Sequence, residues 1–483
     1  MSYKKRILFI QYVTSYSKDP FKETKIYYQI GNELKNSSND IEIIHLCMDK
    51  ATQKFLKRKG ENTITFEEIM QKYPIEKSLL QVYYKKLQYK NIDLRLFGRL
   101  GIIYAPKTSL EKILKESIKC LYASEKYLTD EEIKCIITSV AYTLYRNCLE
   151  IMARELGIIT LYLSGGPMYG TMLEENFFDF RGELKHIPLK PLNEKEKEEL
   201  DNFKRQFYQK KEVVWLNRTN LLKKIAEHIR SMYHYFFLFS PKLCDRSRLD
   251  FLIETITVSF PKLFKPFLAK WYYTPLENIK NKKYFFYPLQ IPRDYTLPVL
   301  FPGYDNMEHV VDIFSKALPG GYLLAVKEHP HRDAISVGEL RRIKSKKKVV
   351  LLPQKENPHD VIKYSSAVIN ISGSTGWMAL MYYKPVIVFN DTPYDTANVF
   401  YSYYGLTINV DNPEKLSEAF KQALDMKIDH EKIDSFVYHV IYKKPKEFCP
   451  VPPPESPLSE NITPDDISIL AKFIFKKLKE KLK

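Results

Sequence analysis

The chain has 483 residues, and its 75 Lys and Arg outnumber 58 Asp and Glu to give a formal charge of +17. A hydrophobic content of 45% with 28% charged residues excludes a disordered chain, and the length allows about two or three domains. The basic balance suits an anionic partner such as nucleic acid, an anionic membrane face or a phosphorylated substrate.

No zinc-finger spacing, RNP-type aromatic motif or arginine-rich arm accompanies that charge, so no nucleic-acid partner is expected. The 6 cysteines contain no CxxC pair, which fits a reducing cytosol and supplies neither a disulfide framework nor a metal site. The start, MSYKKRILFIQYV, is basic and then apolar. Its apolar run is short and no small-residue cleavage site follows, so it reads as a buried first strand. No segment approaches the roughly 18 to 20 apolar residues needed to span a bilayer. The expected protein is cytoplasmic, either free or attached to the inner face of the cell membrane.

In chain order, residues 6–13 read as a strand, 24–34 as a helix and 41–46 as a second strand. That order opens a doubly wound α/β domain. Residues 51–130 read as mostly helical. Residues 131–156 carry Ile136, Val140, Leu144, Cys148 and Ile151 at helical spacing, with Gly157 as the terminating glycine. Residues 158–163 form a short strand that empties into Ser164-Gly165-Gly166-Pro167, with Glu174, Glu175 and Asp179 close behind.

Residues 193–283 are rich in Lys, Tyr and Phe and read as helices over 194–211, 217–239 and 246–273. From residue 284 the alternation turns regular. Strands are expected at 284–289, 322–327, 349–352, 367–371, 386–389 and 406–410, with helices between them. This rhythm predicts a second parallel, doubly wound domain. After about residue 440 a proline-rich stretch suits an extended linker. Thr463-Pro464-Asp465-Asp466 then starts a last helix, with lysines on one face and Ile467, Leu470, Ala471, Ile474, Leu478 and Leu482 on the other. Its basic face is either simply solvated or laid on an anionic membrane surface. The domains expected are 1–192, a helical segment 193–283, 284–440, and a linker with terminal helix over 441–483.

Chemistry concentrates where strands of the second domain end. Pro288-Leu289-Gln290 follows one strand, and Lys327-Glu328-His329-Pro330 another. Ser372-Gly373-Ser374-Thr375-Gly376 follows a third. Loops after parallel strands leave on one side, so these three can converge on one ligand. A Gly, Ser and Thr turn at a helix start offers backbone N–H groups and hydroxyls to a phosphate. The plainer alternative is that its glycines make a tight turn and its hydroxyls cap the helix. His329 can donate to a phosphate oxygen and support a departing nucleotide, which leaves no need for a metal.

The succession PLQ, KEHP and S-x-S-T-G-x-x-A-L-x-x-x-K-P-V over residues 284–395 resembles the capsule polysaccharide biosynthesis family, which includes bacterial Kdo transferases. The resemblance implies a GT-B glycosyltransferase: two Rossmann-like domains facing a cleft, here with a helical insert and a C-terminal helix. It implies a nucleotide-sugar donor, such as CMP-Kdo, and no cofactor. The acceptor would be a glycan or glycolipid of the capsule or another cell-surface polysaccharide. By motif, Lys327, His329, Pro330, Ser372, Ser374, Thr375 and Gly376 would bind the nucleotide, with Gln290 lining the site. Glu174 and Glu175 are the candidate bases, alongside His329 for the leaving group. Two departures stand out. Met378 occupies the position where the family usually has a Glu able to hold ribose hydroxyls, and Ser164 replaces an acidic residue. Met378 keeps open a non-catalytic assembly or export factor, and a polyol-phosphate transferase acting on a CDP-linked donor is a further alternative on a similar two-domain scaffold.

Overall fold

The computed structural model describes residues 4–11, 19–90, 92, 109–139, 144–165, 171–174, 188–210, 226, 229, 265, 268–290, 297, 304, 306–329, 335–371, 373–389, 402, 404–443, 448–449, 451–452, 454 and 461–482. The readings at 217–239 and 246–264 therefore lie outside the described residues, apart from single positions. The chain divides into two compact units. The first comprises Met1–Phe177, Leu222–Glu254 and Lys446–Lys483, and the second Phe178–Leu221 and Thr255–Pro445. Both are α/β and Rossmann-like.

The first unit is built on strands β1 (Lys5–Gln11), β2 (Ile41–Cys47), β3 (Thr63–Thr65), β4 (Ile133–Thr138), β5 (Ile159–Gly165) and β6 (Thr171–Glu174). Its helices are α1 (Lys22–Ser37), α2 (Lys50–Lys57), α3 (Phe66–Lys72), α4 (Lys77–Tyr89), α5 (Leu110–Asp130) and α6 (Leu144–Glu155). The sheet order is β6-β5-β4-β1-β2-β3, with β1 to β5 parallel and β6 antiparallel to β5. The chain builds outward from β1 through β2 and β3, then returns to the other side of β1 at β4. The switch point lies between β1 and β4.

Residues 131–156 are not a single helix: Ile133–Thr138 is the central strand β4, and the helix begins only at Leu144. Ile133, Cys135, Ile136 and Ile137 are all buried, because β4 lies between two strands with helices on both faces. A strand buried on both faces loses its alternation, and its isoleucines fall by chance into helical spacing. Gly157, at φ +68°, does end the helix in the left-handed conformation that glycine adopts without strain.

The C-terminal segment completes this unit. β13 (Phe448–Cys449) pairs antiparallel with β6, and the terminal helix (Pro464–Lys481) packs on α1. That helix opens with a capping box between Thr463 and Asp466, and proline stands at its first turn. Ile467, Leu470, Ala471, Ile474 and Leu478 join Ile26, Tyr27, Ile30 and Leu34 of α1 in one core. Lys472, Lys476, Lys479 and Lys481 stay exposed. Among the described residues no helix is long and apolar enough to cross a membrane.

The second unit contains strands β7 (Tyr284–Pro288), β8 (Leu323–Lys327), β9 (Val349–Leu352), β10 (Ala367–Asn370), β11 (Val386–Phe389) and β12 (Ile408–Val410). Its helices are α7 (Glu194–Lys210), α8 (Met307–Ala317), α9 (Val337–Lys344), α10 (Pro358–Tyr364), α11 (Thr375–Met381), α12 (Leu416–Asp425) and α13 (His430–Tyr438). All six strands are parallel, in the order β12-β11-β10-β7-β8-β9. The predicted strands are present, within a residue or two at their ends. The terminal helix, numbered α14 from here on, is held by apolar burial, so Leu470→Ala should lower unfolding free energy by about 2–5 kcal/mol. Urea denaturation of the full chain measures it.

Candidate functional site

The switch point of the second sheet lies between β7 and β10, since the chain runs from β7 outward through β8 and β9 and then returns beside β7. Register makes three strands end together. Pro288 pairs with Lys327, while Phe286 pairs with Val368, so Asn370 lies level with Pro288. The loops after β7, β8 and β10 therefore begin at the same height on adjacent strands.

The first of these loops starts with Leu289, whose N–H bonds the Lys327 carbonyl at 2.8 Å. Gln290 follows and lies against the Ser/Thr turn. A Cβ placed on Gly373 would sit 3.4 Å from Gln290 Nε2 and 3.6 Å from Asn370 Oδ1. Asn370 Nδ2 in turn donates to the Gly373 carbonyl at 3.0 Å. The two loops thus meet at Gly373, where a Cβ would be in van der Waals contact with both neighbours. Ser374 is exposed and precedes α11 without forming a side-chain capping bond. Its hydroxyl is not used in the way the plainer alternative requires. Thr375 is half-buried and Gly376 buried. α11 has only 7 residues, so the first N–H groups and the hydroxyls matter more here than a macrodipole.

The KEHP loop is anchored from below. Lys327 is buried, and its Nζ donates to the Glu328 carbonyl at 3.3 Å. Burial pushes the Lys327 pKa down to about 8, against the pull of Glu328 and Glu356. The Glu328 carboxylate accepts from Lys265 Nζ and, at 2.6 Å, from the Tyr273 hydroxyl. Both ends of the Lys265–Glu328 pair are sealed from water, at 3% and 2% exposed. Two buried charges persist only when paired and further hydrogen-bonded, and the Tyr273 hydroxyl supplies that extra bond. Gln354 Nε2 donates to the His329 carbonyl at 2.8 Å. His329 therefore stands on a backbone tied down on both sides.

The far end of α11 is braced by α7. The Tyr208 hydroxyl donates to the Met381 carbonyl, and Phe207 packs on His359 and Tyr382 with ring centroids at 4.8 and 6.0 Å. Lys204 is buried between Tyr383 and Asp434, bonded to both. Met378, one turn into α11, donates its N–H to the Ser374 carbonyl at 3.0 Å and is half-buried.

Of the residues singled out from sequence, Gln290, Lys327, His329, Ser374, Thr375 and Gly376 all lie on these three loops. Pro330, Ser372 and Glu175 lie outside the described residues. Glu174 ends β6 and pairs with Tyr162, three residues back from the β5 end at Gly165. Its backbone is thus drawn down the sheet, away from the carboxyl edge. The sequence reading missed Glu328 with its partner Lys265 and the whole α7 brace. The only available signal was Glu328 standing inside KEHP, directly after an apolar strand.

A doubly wound parallel sheet with polar loops gathered at its switch point has the architecture in which α/β domains bind ligands. Residues 272–442 of this unit match the family model described as capsule polysaccharide biosynthesis protein, so the resemblance read from the motifs holds over that region. No curated protein matches the chain. Solved structures similar to it include Thermosulfurimonas dismutans KpsC, a beta Kdo 2,4 transferase, at 14% identity and TM-score 0.32, covering 63% of this chain and 79% of that one. A glycosyltransferase from Rickettsia africae shows 10% identity and TM-score 0.29 over 99% of both chains. The UDP-GlcNAc 2-epimerase of Methanocaldococcus jannaschii, in complex with UDP-GlcNAc and UDP, shows 11% identity and TM-score 0.28 over 90% and 99%. At these scores the likenesses carry no argument about this chain's chemistry.

The buried pair gives a direct prediction. Glu328→Ala should cost about 3–5 kcal/mol of stability by stranding Lys265, and the double change with Lys265→Met should recover most of it. Chemical denaturation of the single and double variants measures both.

Proposed function

We propose that the chain is a glycosyltransferase that takes a sugar from a nucleotide-activated donor and adds it to a capsule or other cell-surface glycan. The observation that carries this reading is the level ending of β7, β8 and β10, with Gln290 packed against Gly373 and Lys327 buried beneath the next loop. In this reading the donor's phosphate lies on the Ser374–Thr375 turn. His329 donates to the departing nucleotide, Lys327 acts on it through its charge from beneath the loop, and no metal is called upon.

A CMP-linked donor such as CMP-Kdo is the one the family motifs favour. Met378 cannot accept hydrogen bonds from ribose hydroxyls, so the nucleotide is held mainly through its phosphate. The acceptor is a glycan or glycolipid. The exposed lysines of α14 suit an anionic membrane face, which would keep the protein at the inner surface of the cell membrane.

Calorimetry with CMP, CDP and UDP tests the reading. One of the three should bind, and His329→Ala should weaken it roughly 10- to 100-fold, the value of a hydrogen bond to a charged group. Failure of all three to bind removes both the glycosyltransferase and the polyol-phosphate transferase readings.

A pH series adds a second check. Lys327 is protonated below its pKa of about 8 and loses its charge above it. Phosphate binding favours the charged form, so affinity should be full below pH 8 and fall as pH rises through and beyond it. Lys327→Met should bind more weakly at pH 7 and show no such decline.

A further inference from the structure

The second sheet has another surface, at the edge where its strands begin. Leu323 N–H bonds the Lys283 carbonyl at 3.0 Å, and Leu324 N–H bonds the Lys348 carbonyl at 2.8 Å. Lys283 and Lys348 therefore flank the start of β8 on its two sides, about 10 Å apart across two strand spacings. Lys282 and Lys347 each stand one residue before them. All four lysines are exposed.

Their charge is unopposed. The connections 279–283, 318–322 and 345–348 contain no Asp or Glu. The carboxylates of the flanking elements are engaged with other cations. Glu277 holds Lys280 at 2.5 Å, while Glu308 and Asp312 hold Arg342, Lys316 and Lys346. Among the described residues no carboxylate pairs with Lys282, Lys283, Lys347 or Lys348. Lys348 Nζ donates to the Leu318 carbonyl at 3.0 Å, which satisfies the end of α8. The other three make no such bond among the described residues, so helix capping does not account for them.

An aromatic side chain borders this charge. Tyr273 runs parallel to β9 beside Leu351, and Thr274 N–H bonds the Leu351 carbonyl at 2.7 Å. Trp271 precedes Tyr273 by two residues and so lies toward the start of β9, the end that Lys347 and Lys348 lead into. It is 88% exposed. An indole gains most where water meets hydrocarbon, with its ring in the apolar layer and its N–H in the wet one. The cations beside it are all lysines. Point charges on flexible stems suit a diffuse anionic surface, whereas recognition of a phosphate in fixed geometry favours the arginine fork.

We propose that the strand-start edge of the second sheet, with Lys282, Lys283, Lys347, Lys348 and Trp271, docks on an anionic phospholipid bilayer. This gives the membrane attachment described above a contact in the second unit, besides the one assigned to α14. It stands on the geometry of this unit and not on the glycosyl-transfer reading. The strands separate this edge from the Ser374–Thr375 turn, so docking leaves the loops after β7, β8 and β10 uncovered.

Vesicle co-sedimentation of the full chain tests this. The wild type should bind vesicles of phosphatidylglycerol mixed with phosphatidylcholine, and not vesicles of phosphatidylcholine alone. High salt should release it. The combined variant Lys282→Gln, Lys283→Gln, Lys347→Gln and Lys348→Gln should bind roughly 100- to 1,000-fold more weakly. Trp271→Ala should bind about tenfold more weakly, through loss of apolar burial. Trp271→Phe should lose the blue shift of tryptophan emission that the wild type shows on the anionic vesicles. Thermal melts followed by circular dichroism check that each variant folds. A folded four-lysine variant that binds as the wild type does overturns the inference. If Lys472→Gln with Lys476→Gln then abolishes binding, attachment belongs to α14 alone. Absence of wild-type binding to anionic vesicles also overturns it, and retention on RNA lost in the four-lysine variant would then assign the edge to nucleic acid. Nucleotide calorimetry on the same variants should match the wild type, so failure of the docking surface and failure of the glycosyl-transfer reading are separate results.

Discussion

Every strand of the second sheet runs the same way, so every loop after a strand must leave at one edge. The switch of direction between β7 and β10 then leaves two neighbouring loops without a helix crossing between them. The functional reading depends on this constraint. It brings three motifs separated by tens of residues to one edge, and Gln290 lying beside Gly373 is its local consequence. A shift of register by one residue in β10 would break that contact and turn every side chain of the strand to the opposite face.

Polar loops at a sheet edge need rigid backing if they are to hold a ligand in one geometry. This chain supplies it with charge buried directly behind the edge. In the second unit Glu328, paired to Lys265 and bonded by Tyr273, fixes the backbone that carries His329. In the first unit Arg146 and Glu150, both buried, lie behind Ser139, whereas Glu61 behind His45 and Gln11 pairs with a Lys35 that is 35% exposed. Such pairs add little to net stability, because desolvation offsets most of the attraction. Their effect is on specificity of geometry: a lone buried charge is so unfavourable that only the paired arrangement persists.

Much of the second unit was legible in sequence because strands buried on both faces read as short apolar runs between turn signals. YFFYP, VVLL, AVIN and VIVF are such runs, and each is a strand. The same property hid β4, whose IKCIIT adjoins two helices without a Gly or Pro to mark its start. A turn at Glu132, with φ of +50°, does that work in a residue with no glycine-like signature. The short β6 and β13 were beyond reach for a different reason: their pairing partners, not their composition, make them strands. The candidate site was legible down to its loops and no further. Lys265 and Glu328 are 63 positions apart, and Gln11, His45 and Glu61 meet only through strand register. Such partners appear only once the chain is folded.

Hydrogen exchange of the full chain with and without the nucleotide that binds tests the central claim most directly. Protection should rise in the peptides carrying Gln290, His329 and Thr375 together, and in no peptide of the first unit. Protection confined to one of those three, or centred on the first unit, would contradict a nucleotide site at the β7–β10 switch point.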